Sequence, residues 1–449
     1  MGNIELPKGI VGLDEHPHQK EYLVNYVWTP TGLIRNYGIE AHADGVGPCY
    51  GVVHWQANNK TYMVSGNALL RVNEDGTTAN LGTVSGTTKC FFSQGQVYLV
   101  IGRIGGAAYT LSTSETLAAI SDPEYLPSVG ADFIDGRHVF IPADGSPAFY
   151  SDVDNAGSID PLSFFDAEEL PDQNKAVINI SNQLYILGAD SAEVFRVNVD
   201  PDAVFTRREG ARVDTGYLSC LVRYKGTFAF IGRDRGESFQ IFVMDAGRAV
   251  PISSPAIDEL LESYTEDQLK SADAVRYKLK GYECLAFTIN DRTIVFCEGN
   301  WSYQSSGTEL SKWRVYGIAH NGNRYIVGDR DTKKIGCLSS TAQEYGEDVF
   351  SEIQTFIRSE KGGFFKIGKI EPSINSGVCD TTESIGLSIS KDGKAYSGFN
   401  YREIGEKGEY RRRIRWQPPG GIGAFESFCG IKIKTTAPDK LSLDFLSFE

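Results

Sequence analysis

The chain has 449 residues, 41% of them hydrophobic and 11% aromatic, so it is long enough for two or three ordinary domains and apolar enough for a sizeable core. A formal net charge of −14 argues against a general nucleic-acid binder, because such proteins draw their non-specific affinity from Lys and Arg that neutralise phosphates. The acid is uneven: residues 351–449 carry 15 Lys and Arg against 13 Asp and Glu, leaving 29 against 45 in the first 350 residues.

MGNIELPKGIVG at the start lacks the basic-then-apolar pattern of a signal peptide, and Leu6 stands where a myristoylation signal needs Ser or Thr. No apolar run approaches the ~18 residues of a membrane span. These features are those of a soluble chain made in a cytoplasm. Residues 1–49 are expected to form an extended arm that contributes a strand closing the ring of the architecture that follows.

From residue 50 to 345 one pattern recurs: a short β-rich run, a Gly/Asp/Asn turn, and a second β-rich run. It is seen in TYMVSGNALLRV from Thr61, QVYLVIGRIGGAAYTL from Gln96, HVFIPADGSPAFYS from His138 and LYILGADSAEVFRV from Leu184. It returns in FAFIGRDRGESFQIFV from Phe228, CLAFTINDRTIVFC from Cys284 and RYIVGDRDTKKIGCL from Arg324. Paired strands at this spacing fit propeller blades better than solenoid coils. Each unit alone would leave an apolar face wet, so neighbours must stack, and ring closure removes exposed sheet edges. Seven blades are expected, six being the alternative; two β-sandwiches are the competing arrangement.

One helical stretch interrupts the series. In SPAIDELLESYTEDQLKSADAVRY, from Ser254, the residues Ile257, Leu260, Leu261 and Tyr264 fall at i, i+3, i+4 and i+7. Thr265 and Gln268 form a capping-box pair that starts a second short helix. The pair reads as a packing insertion, with docking as the other possibility. Residues 346–449 then change to longer alternating segments, FSEIQTFIRS, FFKIGKIEPSI, ESIGLSIS, EYRRRIRW, FCGIKIKTT and KLSLDFLSF, the pattern of an antiparallel β-sandwich.

Signatures of catalysis and cofactor binding are weak. There is no GxxxxGK[ST], no strand-placed GxGxxG, no GxSxG and no HExxH. His16, His18 and His42 are too loosely placed to define a metal site. In DVDNAG from Asp152, Ala156 stands where a calcium loop needs an oxygen ligand, and the stretch reads as a turn. Eight scattered cysteines without a CxxC pair read as reduced, mostly buried thiols. SKDGKAY from Ser390 is one residue short of the aspartate-box turn of sialidases and occurs once. A receptor- or glycan-binding propeller, or a sialidase-like glycosidase, is therefore the alternative reading of function. No catalytic residue, cofactor or metal is expected.

KGEYRRRIRW, residues 407–416, is the densest basic run. As a strand it puts Arg411, Arg413 and Arg415 on one face and Tyr410, Arg412, Ile414 and Trp416 on the other. Without a helix to enter a groove, and on an acidic background, the run fits a protein interface better than DNA. Arg is enriched at interfaces and its planar fork pairs with carboxylates, which neighbouring copies of this chain supply in abundance.

Several stretches together resemble the packaged-DNA stabilisation, or tail-hub, proteins of short-tailed bacteriophages. YLVNYVWTPTG from Tyr22 looks like their N-terminal segment, and YGVVHWQANNKTYMVSGNALLRV from Tyr50 is similar to their first propeller unit. GSIDPLSFFDAEELPDQNKAVINISNQLYILGADSAEVFRV from Gly157, PISSPAIDELLESYTEDQL from Pro251 and the Arg-rich segment followed by FCGIKIKTTAPDKLSL complete the likeness, which covers most of the chain. The resemblance implies a structural virion protein and not an enzyme. It implies a homo-hexameric ring below the portal and its head-to-tail adaptor that closes the head, retains DNA and offers attachment for a tail needle and fibres or spikes. DNA would pass through without sequence-specific binding, and acidic walls would repel it over about a Debye length, ~8 Å.

Overall fold

The computed structural model describes residues 2–4, 6–11, 20–165, 172–198, 200, 203–359, 363–374, 383–417, 425–437 and 443–448. Seven four-stranded antiparallel meanders follow one another and form a β-propeller. Blade 1 spans Cys49–Thr83, blade 2 Cys90–Ala119, blade 3 Ser128–Phe165, blade 4 Asn174–Arg207, blade 5 Thr215–Pro251 and blade 6 Asp273–Gln304. Blade 7 takes three strands from Val315–Ser339 and its outer strand, Gly38–Asp44, from the N-terminal segment.

Packing shows why the sequence repeats. Among the described residues the propeller's apolar core divides into seven clusters, each built from two adjacent blades. Leu69 of blade 1 meets Leu99 of blade 2, and Val100 meets Phe140 across blades 2 and 3. Corresponding clusters join blades 3 to 4, 4 to 5, 5 to 6 and 6 to 7. Met63 and Leu70 of blade 1 pack with Ile326 and Ile335 of blade 7, which closes the ring. A strand covered on both faces needs a continuous apolar run instead of alternation. Tyr98–Arg103 and Arg137–Pro142 accordingly bury five consecutive residues each. Four innermost strands start with a β-bulge, as at Cys49/Gly51 and Val315/Gly317, and that of blade 5 is bulged in its middle, which sharpens the local twist.

Closure is backbone chemistry. Gly38–Asp44 runs antiparallel to Lys334–Ser339. The Gly38 and Ile39 amides donate to the Thr341 and Gln343 carbonyls, both at 2.8 Å, and the Tyr345 amide donates to the Ile39 carbonyl at 2.7 Å. A Cβ on residue 38 would collide with those two carbonyl oxygens, so the approach requires glycine.

The two helices, α1 (Pro255–Glu262) and α2 (Glu266–Lys270), lie where the periodicity puts them, and the Thr265/Gln268 capping box is formed. Ile257, Leu261 and Leu269 are buried in the cluster between blades 5 and 6, so the insertion is a packing element.

Blade 6 does not end at its outer strand. Tyr22–Val24 adds in parallel to Asn300–Gln304 and pairs antiparallel with Ser351–Arg358. The ladder continues through Phe428–Thr435, Ser384–Ser390 and Asn400–Glu403, making one nine-stranded sheet across propeller and C-terminal domain. The opposing sheet holds Gly2–Ile4, Leu443–Phe448 and Ile370–Ile374. The sandwich core includes Leu23, Ile353, Ile385, Ile431 and Ile433.

The segment 407–416 departs from expectation: it is not a strand of the sandwich. Residues 407–411 form a turn, and the rest is extended with a single bridge between Trp416 and Ile370. Gly405 and Gly408 take left-handed backbone (φ +97° and +101°), which breaks any ladder before it starts.

Candidate assembly surface

The arginine segment is anchored by its apolar side. Ile414 and Trp416 are buried in the sandwich core, and the Trp416 indole N–H donates to the Asn400 carbonyl at 2.7 Å. Tyr410, expected on the same inward face, is instead 67% exposed on the turn.

The predicted trio divides. Arg413 and Arg415 converge on one carboxylate, Glu371, at 2.7 and 3.1 Å, and Lys369 approaches the same group at 3.5 Å. Burial pushes the Glu371 carboxyl up, but the Arg413 hydrogen bond and the surrounding cations outweigh it and hold the group below its ordinary range. Arg412, assigned to the inward face, lies on the surface between Glu403 (2.7 Å) and Glu409 (2.9 Å). Arg411 is exposed and makes no ion pair among the described residues. The segments 369–371 and 402–415 together carry seven Lys and Arg against four Glu, so this corner of an acidic chain is net basic.

The seam between propeller and sandwich buries several polar side chains, and sequence reasoning missed it. Asn25, in left-handed backbone, donates from its amide to the Ser305 carbonyl (3.0 Å) and the Phe350 carbonyl (2.7 Å), and accepts from the Ser305 N–H at 2.9 Å. Arg35, 3% exposed, donates to the Val349 carbonyl at 2.9 Å and to the Ala437 carbonyl. Asn36 reaches Tyr277 and Gln304 of blade 6. The available signal was an asparagine inside the apolar run YLVNYV, since Asn is a residue that tolerates left-handed backbone.

The propeller's axial cavity, about 680 Å³, is lined by the inner strands of blades 1, 2, 5, 6 and 7. Of its charged lining residues Arg223, Asp273, Arg276 and Lys278, three are ion-paired: Arg276 with Glu283 at 3.3 Å, Arg223 with Asp132 at 2.6 Å, and Asp273 with Arg330 at 3.1 Å. The chain's acidity is not concentrated there. His16 and His18 lie outside the described residues, and the His42 Nε2 sits 2.8 Å from the Asn73 carbonyl. Asp152 and Asn155 bridge a turn. In SKDGKAY the Asp392 carboxylate accepts from the Lys394 and Ala395 amides at 2.8 Å, a local turn. Among the described residues no three His, Cys, Asp or Glu side chains are grouped to hold a metal ion.

Two family models match in succession. That described as Bacteriophage P22 Gp10, beta-propeller, covers residues 14–343, and that described as Bacteriophage P22 Gp10, beta-sandwich, covers residues 352–448. The chain belongs to this Gp10 family of phage tail-hub proteins, which are structural virion components and not enzymes. Among curated proteins it is similar to the tail hub protein gp10 of Salmonella phage P22, 22% identical over 451 residues and 94% of each chain. Among solved structures, the N-terminal domain of Nup159 aligns with 75% of this chain and 100% of its own, at 10% identity and a TM-score of 0.41. The Cps50 (Swd1) β-propeller of Myceliophteria thermophila aligns with 66% and 98%, at 10% identity and a TM-score of 0.42. At these scores neither bears on function.

Proposed function

We propose that this chain is the tail hub of a short-tailed bacteriophage and assembles as a homo-hexameric ring below the portal and its head-to-tail adaptor. The ring closes the filled head, retains packaged DNA and offers attachment for a tail needle and fibres or spikes. The chain is made in the host cytoplasm and ends in the neck of the virion. The observation that carries this reading is the succession of the two family matches, propeller then sandwich, over nearly the whole chain.

Physical features support it. A sheet continuous from blade 6 into the sandwich, with Asn25 and Arg35 buried at the seam, makes a stiff subunit suited to bearing load. An axial cavity of about 680 Å³ is ligand-sized, not a duplex conduit, so DNA would run along the ring axis between subunits. The net basic corner holding Arg411, Arg413 and Arg415 is assigned to an acidic neighbour, a second copy being the nearest source. The test is a phage in which this gene is disrupted. Heads should fill, then lose their DNA and yield no plaques; particles that kept both DNA and infectivity would overturn the reading.

A further inference from the structure

Of the cysteines among the described residues, two stand directly opposite each other. In blade 6, Cys284 of Tyr282–Ile289 is the register partner of Cys297 of Arg292–Cys297. Cys297 also closes the tight turn Glu298–Gly299 with Asn300, both turn residues having positive φ. Its backbone groups therefore point toward the strand Asn300–Gln304, and the pair with Cys284 is of the non-hydrogen-bonded kind. In such pairs the Cα atoms are only about 4.5 Å apart, inside the roughly 4.4–6.8 Å that a disulfide spans. As register partners the two side chains share one face of the sheet and each perturbs the other, raising the Cys284 thiol and lowering that of Cys297, while the Cys284 thiol donates to the Tyr282 carbonyl at 3.8 Å. Both are fully buried against Tyr277, Val295 and Trp313. Cys49, Cys90, Cys220, Cys337 and Cys429 have no cysteine as register partner.

We propose that Cys284 and Cys297 are an oxidation-formed staple, reduced in the host and closed to a cross-strand disulfide when the particle meets a peroxide outside it. The Cys297 sulfur attacks a peroxide oxygen, the O–O bond breaks, and water leaves with a sulfenic acid on Cys297. The Cys284 sulfur then displaces the sulfenic oxygen, which leaves as a second water. Both thiol hydrogens end in water, two sulfurs are oxidised, and one peroxide is reduced. The staple ties together the middle strands of blade 6, the blade whose sheet runs on into the sandwich.

The test uses the full chain, reduced, then treated with dilute hydrogen peroxide under native conditions, alkylated and cut with trypsin. Residues 281–292 and 293–312 carry one cysteine each. They should appear as one linked species, two hydrogens lighter than the separate peptides, that a thiol reductant splits. The oxidised chain should melt several degrees higher, a gain that C297S loses and C220S keeps. Recovery of both peptides alkylated, over-oxidation of either sulfur without a link, or a C297S variant that keeps the gain overturns the proposal; the peptide map on the unmutated chain decides it even if a variant misfolds.

Discussion

The propeller and the sandwich solve the same packing problem with opposite redundancy. The propeller spreads its core over seven interfaces, four of them made by sequence neighbours alone; the N-terminal segment adds Ile10 between blades 5 and 6 and Val27, Ile34 and Ile39 between blades 6 and 7, and the last interface joins blade 7 to blade 1. The sandwich has one core, and it takes Leu6, Leu23 and Tyr26 from the far end of the chain. Local interfaces can form as each blade completes, whereas the sandwich must wait for strands more than 300 residues apart, the costlier kind of contact to close.

The sharpest way to break this comparison is the same deletion in both regions. Leu23 and Leu99 are each 0% exposed, so truncation to Ala removes similar transfer energy, about 3–4 kcal/mol. Leu99→Ala should lower one cooperative propeller transition. Leu23→Ala should release the C-terminal domain first, seen in hydrogen exchange as early labelling of Ser351–Arg358 and Phe428–Thr435. Equal exchange patterns in the two variants would mean that propeller and sandwich unfold as one unit.

Arg35→Ala attacks the seam itself. It leaves the Val349 and Ala437 carbonyls without their buried donor, at a cost of about 3 kcal/mol. Calorimetry should resolve two transitions where the unaltered chain gives one.

Closure of the propeller has its own pH signature. Glu344, beside the closing strand, accepts from the Trp313 indole at 3.0 Å. Desolvation pushes its carboxyl up from 4.5 to about 7, despite the Ser306 and Trp313 hydrogen bonds and the nearby Arg314, with Asp329 adding to the rise. The folded chain thus holds a proton that the unfolded chain releases near 4.5. The stabilisation is fully present below that pH and is lost as pH rises to about 7, a fall on the order of 3 kcal/mol. Glu344→Gln should flatten that slope in denaturant titrations from pH 4.5 to 7.5.

How much of this was legible follows the same division. The blades showed in the sequence because their middle strands are buried on both faces, which demands contiguous apolar runs between Gly and Asn turns. A closing strand from the N-terminal arm was expected, but its place at GIEAHAD did not show, because only its first two residues are buried and its partner lies some 290 residues away. The seam hid because it is polar: Asn25, Arg35 and Asn36 follow no period. In 410–416, alternation suggested a strand, yet only Ile414 and Trp416 point inward. Two inward residues are too few to specify a strand when left-handed glycines precede them.

The arginine segment carries the smallest expected effect on stability and the largest on assembly. Arg413 and Arg415 are 64% and 40% exposed in their side chains, and exposed pairs contribute about 0–1 kcal/mol each. Changing Arg411, Arg413 and Arg415 together to Ala should leave the melting temperature nearly unchanged, because Glu371 keeps Lys369 and the anchors Ile414 and Trp416 are untouched. Docking onto an acidic partner should weaken, and the salt dependence of what remains should flatten, since screening acts only on charges that are present. Single substitutions should do little, because Arg413 and Arg415 share one carboxylate and either can hold it. If the triple variant assembles normally at every ionic strength, the basic segment serves only the sandwich, where Arg413 and Arg415 pair with Glu371.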